Sequence, residues 1–425
     1  MIKKYLTIVL VFLVLISSTI SCQNIDPSKF KVNKSHLDYL YQDVTINNKP
    51  MGIIHIYCDY PSYKFVEAKG EGYACVDDAA RAALFYLEYY KTYNDSESLH
   101  KFNMLTNFVL HMQAENGFFY NFLESDNSIN KTYRTSIAEP NWWSWRALWL
   151  LTEAYDFYKN KNPERSKILL GSIDNCIQAI KKNIPEKHNT KIVDGIKIPE
   201  WLPAGSGSDQ AALLVIALTN YFQFSNDHSI LPYISSLADG ILMMQVNDKA
   251  SNYNGAFLSW ENTWHSWGNS QSYALLKYFS LVKTDKIKSG ALKELNNFYP
   301  YLLKNYFLSY FKLKIEDGKM LGAGKNQFSQ IAYDISPMVF ALLEAYRVTG
   351  ESRYAKEAGK IAQWYTGHNP AKTVMYNDAT GIVFDGILSD SSINKNSGAE
   401  STIETLWTLL KISQNSIALK HFLNE

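Results

Sequence analysis

Six segments of this 425-residue chain share one pattern: a polar or acidic opening, then a helix rich in small residues and Leu. They are DDAARAALFYLEYY, NWWSWRALWLLTEAY, DQAALLVIALTNYF, NSQSYALLKYFSLV, DISPMVFALLEAYRV and AESTIETLWTLLKI. Counted from Asp78, Asn141, Asp209, Asn269, Asp334 and Ala399, the intervals are 63, 68, 60, 65 and 65 residues. Even spacing of this kind marks a repeat architecture. The segments are apolar nearly all round; Ala211 to Leu218 has no polar face. A helix of that composition must be buried on every side.

Helices of a second kind lie between them. Leu99, Phe102, Leu105, Val109 and Met112 form one apolar stripe, with Lys101, Asn103 and Thr106 expected to face away. Ile173, Cys176, Ile177 and Ile180 form another, and similar segments are expected to start near Ile230, Leu292 and Tyr354. These read as amphipathic outer helices. Short loops containing Gly and aromatic residues, such as VDGIKIPEWL and EDGKMLGAG, read as small hairpins leading to the next apolar helix. The unit cannot bury its apolar helix alone, so the expected fold is all-α, an (α/α)6 toroid folding as one domain. An open helical solenoid is the alternative. Its terminal repeats would need polar caps, and none is evident.

The expected organisation is a leader over 1–21, a tether and packing segment over 22–62, and the toroid over 63–425. The charged MIKK and the 16-residue apolar YLTIVLVFLVLISSTI precede Cys22. This is the pattern of a lipoprotein signal, with Cys22 the expected lipidation site; an ordinary signal peptide or short anchor is the alternative. The apolar run is short for a spanning helix. Lipidation implies export to the cell envelope and a membrane tether, with the folded body in water. Cys58, Cys75 and Cys176 remain, as buried thiols or with one Cys58–Cys75 disulfide. Their spacing suggests no metal site, and no cofactor is expected. With 42 basic against 41 acidic residues, the chain lacks the basic excess of a nucleic-acid binder.

In a toroid the inner helices run parallel, so their N-termini open onto one face. Such ends favour acids and polar ligands. Asp77, Asp78, Glu139, Asp209, Asp334 and Glu400 sit at these starts, with Glu261 in the loop before the fourth. Trp142, Trp143, Trp201, Trp260, Trp264 and Trp267 lie in the same loops or helix starts. Acids among aromatic rings suit sugars, and two carboxyl groups at the right separation hydrolyse a glycosidic bond. The first and sixth inner helices meet when the ring closes, so Asp78 and Glu400 are expected to face each other there.

The motifs at the two ends carry a resemblance. YACVDDAARAAL, WYTGHNPAKTVMYNDATGIVFDGI and NKNSGAESTIETL resemble a bacterial branch of the six-hairpin glycosidase superfamily, over roughly residues 70–412. The resemblance implies an (α/α)6 fold and action on carbohydrate, without naming a substrate. By motif position it implies Asp77, Asp78, Arg81, Asn394, Asn396 and Glu400 as site residues. The Asn usual after the paired Asp is Ala79 here.

Each candidate also has a plainer reading. Glu400 is a catalyst or a helix cap. Asp77 and Asp78 point about 100° apart, so one faces the funnel, Asp78 preferred, and the other caps or binds Arg81. Glu139 precedes Pro140, a good first helical residue, and either caps or binds sugar. Asp209 and Asp334 cap or line the site. Glu261 and His265, among three Trp residues, form a site wall, or His265 is simply hydrogen-bonded and packed on Trp. Asp385 in FDGI reads as a turn residue, and Trp145 and Trp149 as core. A glycoside hydrolase using Asp78, Glu400 and Glu261, on a carbohydrate bound by Asp77, Arg81, Glu139, Trp142, Trp143, Trp201, Asp209, Trp264, His265, Asp334, Asn394 and Asn396, is the first functional expectation. A polysaccharide lyase using His265, Tyr73 and Arg146 is the second, although the funnel acids would repel a polyuronate. A non-catalytic glycan-binding lipoprotein is the third. A terpene cyclase would need a metal motif that is absent.

Overall fold

The computed structural model describes residues 30–185 and 188–424. The six apolar segments form six inner helices: α2 (Val76–Tyr93), α4 (Trp142–Tyr158), α6 (Ser208–Ser225), α8 (Gln271–Val282), α11 (Ala332–Thr349) and α13 (Ala399–Ser413). Each packs on the next, and α13 closes against α2, so the ring is complete. Closure decides for the toroid over the open solenoid. Every residue of α6 from Ser208 to Tyr221 is buried, as its apolar girth requires. Each such Leu or Ile contributes roughly 1.5–3 kcal/mol relative to exposure.

An outer helix follows each inner one: α3 (Ser96–His111), α5 (Pro163–Asn183), α7 (Leu231–Met243), α9 (Asp285–Lys293) continuing to α10 (Tyr299–Lys304), α12 (Ser352–Ala362) and α14 (Ser416–Phe422). The fourth begins seven residues before the expected Leu292. Charged and small residues over 285–291 hid its period, although Ile287 and Ala291 are buried. A single π-turn, Glu294–Phe298, joins α9 to α10.

The reading of the first outer helix, α3, needs a correction. Lys101 and Thr106 do not face water; both are buried. The segment before the ring covers them. Helix α1 (Ser35–Leu40) packs on α13, and the hairpin Tyr41–Ile46/Lys49–Ile54 packs on α3. Lys101 Nζ is then neutralised by Asp38 at 2.7 Å and Glu97 at 2.6 Å. A buried Lys persists only with such partners.

The loops on the N-terminal side form small antiparallel pairs. Thr190–Val193 pairs with Ile196–Pro199, and Tyr310–Glu316 with Lys319–Asn326 and Thr263–His265. Cys58, Cys75 and Cys176 are free, buried thiols. Cys22 and the expected leader lie outside the described residues. No helix among the described residues is long and apolar enough to cross a membrane.

Candidate active site

The seam where α13 meets α2 holds a cavity of about 410 Å³. It is built by the start of both helices and by three strands laid across them. Ala74–Cys75 pairs with Phe122–Leu123 just before α2. Cys75 caps α2, its sulfur accepting from the Asp78 N–H at 3.4 Å. On the α13 side, Ser397 N–H donates to the Cys58 carbonyl and Ala399 N–H to that of Ile56. A Cβ on Gly398 would stand 2.9 Å from the Ile56 carbonyl oxygen, so only Gly lets the strand approach this closely. The GAES motif thereby sets Glu400 at the cavity wall.

Arg81 is the centre of the charge network. Its Nη2 meets Asp77 at 2.7 Å and Asp78 at 3.0 Å; its Nη1 meets Glu400 at 2.9 Å and Glu404 at 3.2 Å. Arg81 is 2% exposed. Burial disfavours its cation, but the four carboxylates outweigh that and hold its proton more firmly than usual. Arg146 lies against Asp77, Nε to Oδ1 at 2.6 Å, and donates through Nη2 to the Tyr333 hydroxyl. Arg81 and Arg146 both sit over the Tyr333 ring, 5.3 and 5.0 Å from its centroid.

This geometry separates acids that are occupied from acids that are available. Asp77 spends both oxygens on the two arginines. Asp78 spends one on Arg81 and accepts the Cys75 thiol on the other at 3.3 Å. It is 3% exposed, and burial pushes it up to about 6 although Arg81 opposes the shift. Glu404 is buried on the same guanidinium. Glu400 has one oxygen on Arg81 and a side chain 41% exposed. Asp385 lines the same cavity. Its Oδ1 accepts the Gly398 N–H at 2.8 Å. Burial raises it to about 6 against that hydrogen bond, with Glu400 adding repulsion. Glu400 and Asp385 thus each keep an oxygen free of these charged and backbone partners.

Asp385 is therefore more than the turn residue that Asp-Gly suggests. Glu404 was also unread, although its i, i+4 spacing from Glu400 places both on one helix face. Glu71, hydrogen-bonded by the Tyr57 hydroxyl at 2.5 Å in the cavity wall, carries no sequence signal of its own.

A second group adjoins the first through Arg146 and Tyr333. His265 Nε2 meets Asp209 at 3.0 Å, and its ring stacks on Trp267 at 3.7 Å between centroids. Trp267 in turn lies 5.8 Å from Trp142, over which Arg146 sits. Asp334 caps its helix through the Ile331 N–H at 2.8 Å, and its other oxygen is buried without a hydrogen-bond partner. Burial raises Asp334 to about 8.

Other expected site residues do different work. Glu261 is not in the network; its carboxylate pairs with Lys191 at 2.8 Å in the neighbouring hairpin. Glu139 accepts from the Asn141 amide and so supports the cap of α4. Trp143, Trp201 and Trp264 are buried. The indole N–H groups of Trp143 and Trp201 donate to the carbonyls of Phe119 and Ser236, and Trp264 stacks on Phe311. Trp145 and Trp149 are core, and Trp260 is half-exposed with its indole on the Ala204 carbonyl. Asn396 holds the loop above the seam, donating to Asp59 at 2.8 Å and accepting the Tyr60 N–H. Asn394 accepts the Asn396 N–H. Arg146, which a lyase would need for a uronate, is already neutralised by Asp77, and Tyr73 donates to Asn127.

No protein-family model matches the chain, and no curated protein matches it in sequence. Solved structures do match in fold. A sugar epimerase from a ruminal bacterium covers 90% of this chain with 95% of its own, at 12% identity and TM-score 0.62. Cellobiose 2-epimerase from Bacillus thermoamylovorans B4167 covers 88% with 94%, at 12% identity and TM-score 0.62. A D-mannose isomerase covers 84% with 93%, at 12% identity and TM-score 0.55. At this identity the likeness is one of fold, and the fold is the expected (α/α)6 toroid.

Proposed function

We propose that the chain is a carbohydrate-active enzyme that hydrolyses glycosidic bonds in the cavity at the α2–α13 seam. The observation that carries this reading is the pair Asp385 and Glu400. Burial holds the proton on Asp385 up to about pH 6; Glu400 is ion-paired with Arg81 at 2.9 Å. Hydrolysis needs two carboxyl groups in different roles, one to protonate the leaving oxygen and one to activate water or attack the anomeric carbon; we assign the first to Asp385 and the second to Glu400. Asp78 and Asp77 act one step back, fixing Arg81. The expected Asp78–Glu400 pair thus gives way to Asp385–Glu400, because Asp78 has no free oxygen.

Acids outnumber Arg81 around the cavity, so a neutral or basic sugar fits better than a uronate. Trp142 and Trp267 supply ring faces on the adjoining side. Incubation with neutral and amino-sugar oligosaccharides should release reducing ends, and Asp385→Asn should abolish the release.

The His265–Asp209 pair favours a second reading. A His held by a carboxylate is a proton-transfer group, and the fold neighbours include two epimerases and an isomerase. Under that reading the chain would invert or move a carbonyl-adjacent proton of a sugar without cleaving it. His265→Asn would then abolish turnover while Asp385→Asn left it.

For location, the proposal is export through the N-terminal leader and tethering by lipid on Cys22. Mass spectrometry of the membrane-extracted protein should find an acylated N-terminal Cys22, and Cys22→Ser should release the protein from the membrane fraction.

A further inference from the structure

Away from the ring's mouth, a groove of about 550 Å³ lies between the strand Lys49–Ile54, α3 and α5. Its charged lining residues are Lys49 and Arg165, with His111 beside them; no Asp or Glu lines it. That is the reverse of the seam cavity, and it stands out in a chain of near-zero net charge. Arg165 is half-buried, yet its partners are neutral: Nη1 donates to the Asn107 side chain at 2.6 Å and Nη2 to the Asn103 carbonyl at 3.4 Å. Among the described residues no carboxylate pairs with Arg165 or Lys49. A guanidinium taken partly out of water without a counter-charge is costly, and a bound anion would remove that cost. Burial and the nearby Lys49 both lower His111, so near neutral pH it offers a hydrogen bond rather than a third charge. The rest of the wall is apolar: Met51 is buried, Leu110 half-buried and Ile168 57% exposed. An exposed Ile beside two unpaired cations is matched by a ligand with both characters.

We propose that this groove is a second ligand site that takes an organic anion, its phosphate or carboxylate head between Lys49 and Arg165 and its apolar body on Met51, Leu110 and Ile168. The head chemistry is shared by a soluble phosphate ester and by an anionic phospholipid. It is independent of the seam cavity, and so of the hydrolase reading.

The test is calorimetric titration of the folded chain with octyl phosphate, inorganic phosphate and octyltrimethylammonium. Octyl phosphate should bind once per chain, inorganic phosphate more weakly, and the ammonium not at all. Lys49→Gln should weaken octyl phosphate at least tenfold, about 1.4 kcal/mol, and so should Arg165→Gln. Arg165 also holds Asn107, so the exposed Lys49 keeps the test valid if the Arg165 variant misfolds. Co-sedimentation with phosphatidylglycerol vesicles that is lost in Lys49→Gln would identify the lipid source. No sedimentation, with octyl phosphate binding retained, would identify the soluble one. Absence of saturable octyl phosphate binding, equal binding of the ammonium, or full affinity in Lys49→Gln would overturn the proposal.

Discussion

The two mouths of the ring hold cavities of similar size, about 410 Å³ at the N-terminal ends of the inner helices and about 360 Å³ at their C-terminal ends. Their charges are arranged differently. At the C-terminal mouth cations match the acids: Lys91, Lys277 and Lys411 line the cavity with Glu88 and Glu153, Lys411 meets Glu88 at 2.7 Å, Arg347 meets Glu344 at 2.6 Å close by, and Trp407 donates its indole N–H to Glu88. Trp149 and Trp407, 5.6 Å apart, close the floor. At the N-terminal mouth four carboxylates surround one buried guanidinium, and Asp385 adds a fifth acid nearby. Cavity volume does not separate the two ends; charge balance does. A fold seeking only stability would balance its charges as the C-terminal mouth does. An excess of partly desolvated acid is costly, and costly clusters of this kind concentrate where chemistry is done.

The contrast is tested first by rate. Glu400→Gln and Asp385→Asn should each lower turnover of a cleavable oligosaccharide by about 10²–10⁴, the span of a lost general acid or base. Wild-type activity should fall as pH rises past about 6, where Asp385 loses its proton. Neither variant should lose its cooperative melting transition. Near-normal turnover in both would remove the seam cavity from the mechanism.

The second test is stability. Arg81→Met takes the ion-pair partner from the buried Asp78 and Glu404, a change that costs about 3–5 kcal/mol. Guanidinium denaturation should show it as a lowered midpoint.

The ring itself was readable because helices apolar on every side have only one kind of place to go, and six of them at near-equal intervals must close on one another. The acids at the helix starts were readable for the same reason, since Asp77, Asp78, Arg81 and Glu400 do converge. Their division of labour was not. Whether an oxygen is spent or free depends on neighbours 300 residues away, such as Arg81 for Glu404. Asp385 looked like turn chemistry because a lone Asp-Gly in a loop gives no sign that Gly398 lies against it. Trp143, Trp201 and Trp264 looked like sugar platforms, yet their position near the funnel says nothing about which way an indole turns. Lys101 was misjudged because the segment that buries it lies outside the helical repeat.

A smaller effect should come from Asp334. Its carboxyl titrates near 8 in the fold against about 3.9 for a free Asp. Between those values the unfolded chain gives up the proton while the fold keeps it, so stability falls as pH rises through that window. Asp334→Asn should reduce that loss, read as a smaller difference in denaturation free energy between pH 5 and pH 8. An unchanged difference would mean that Asp334 is ionised in the fold. The smallest effect belongs to the C-terminal mouth: Lys411→Met breaks a partly exposed pair and should cost about 1 kcal/mol or less, with turnover intact.

The most direct test of the account is mass analysis of products formed from a neutral oligosaccharide in water labelled with oxygen-18. Hydrolysis at the seam predicts shortened products, each new reducing end carrying one labelled oxygen from the cleavage, and none of them from Asp385→Asn. Product of unchanged length, altered only by exchange of a carbon-bound hydrogen when run in heavy water, would contradict the carboxylate-pair assignment and move the chemistry to His265 and Asp209.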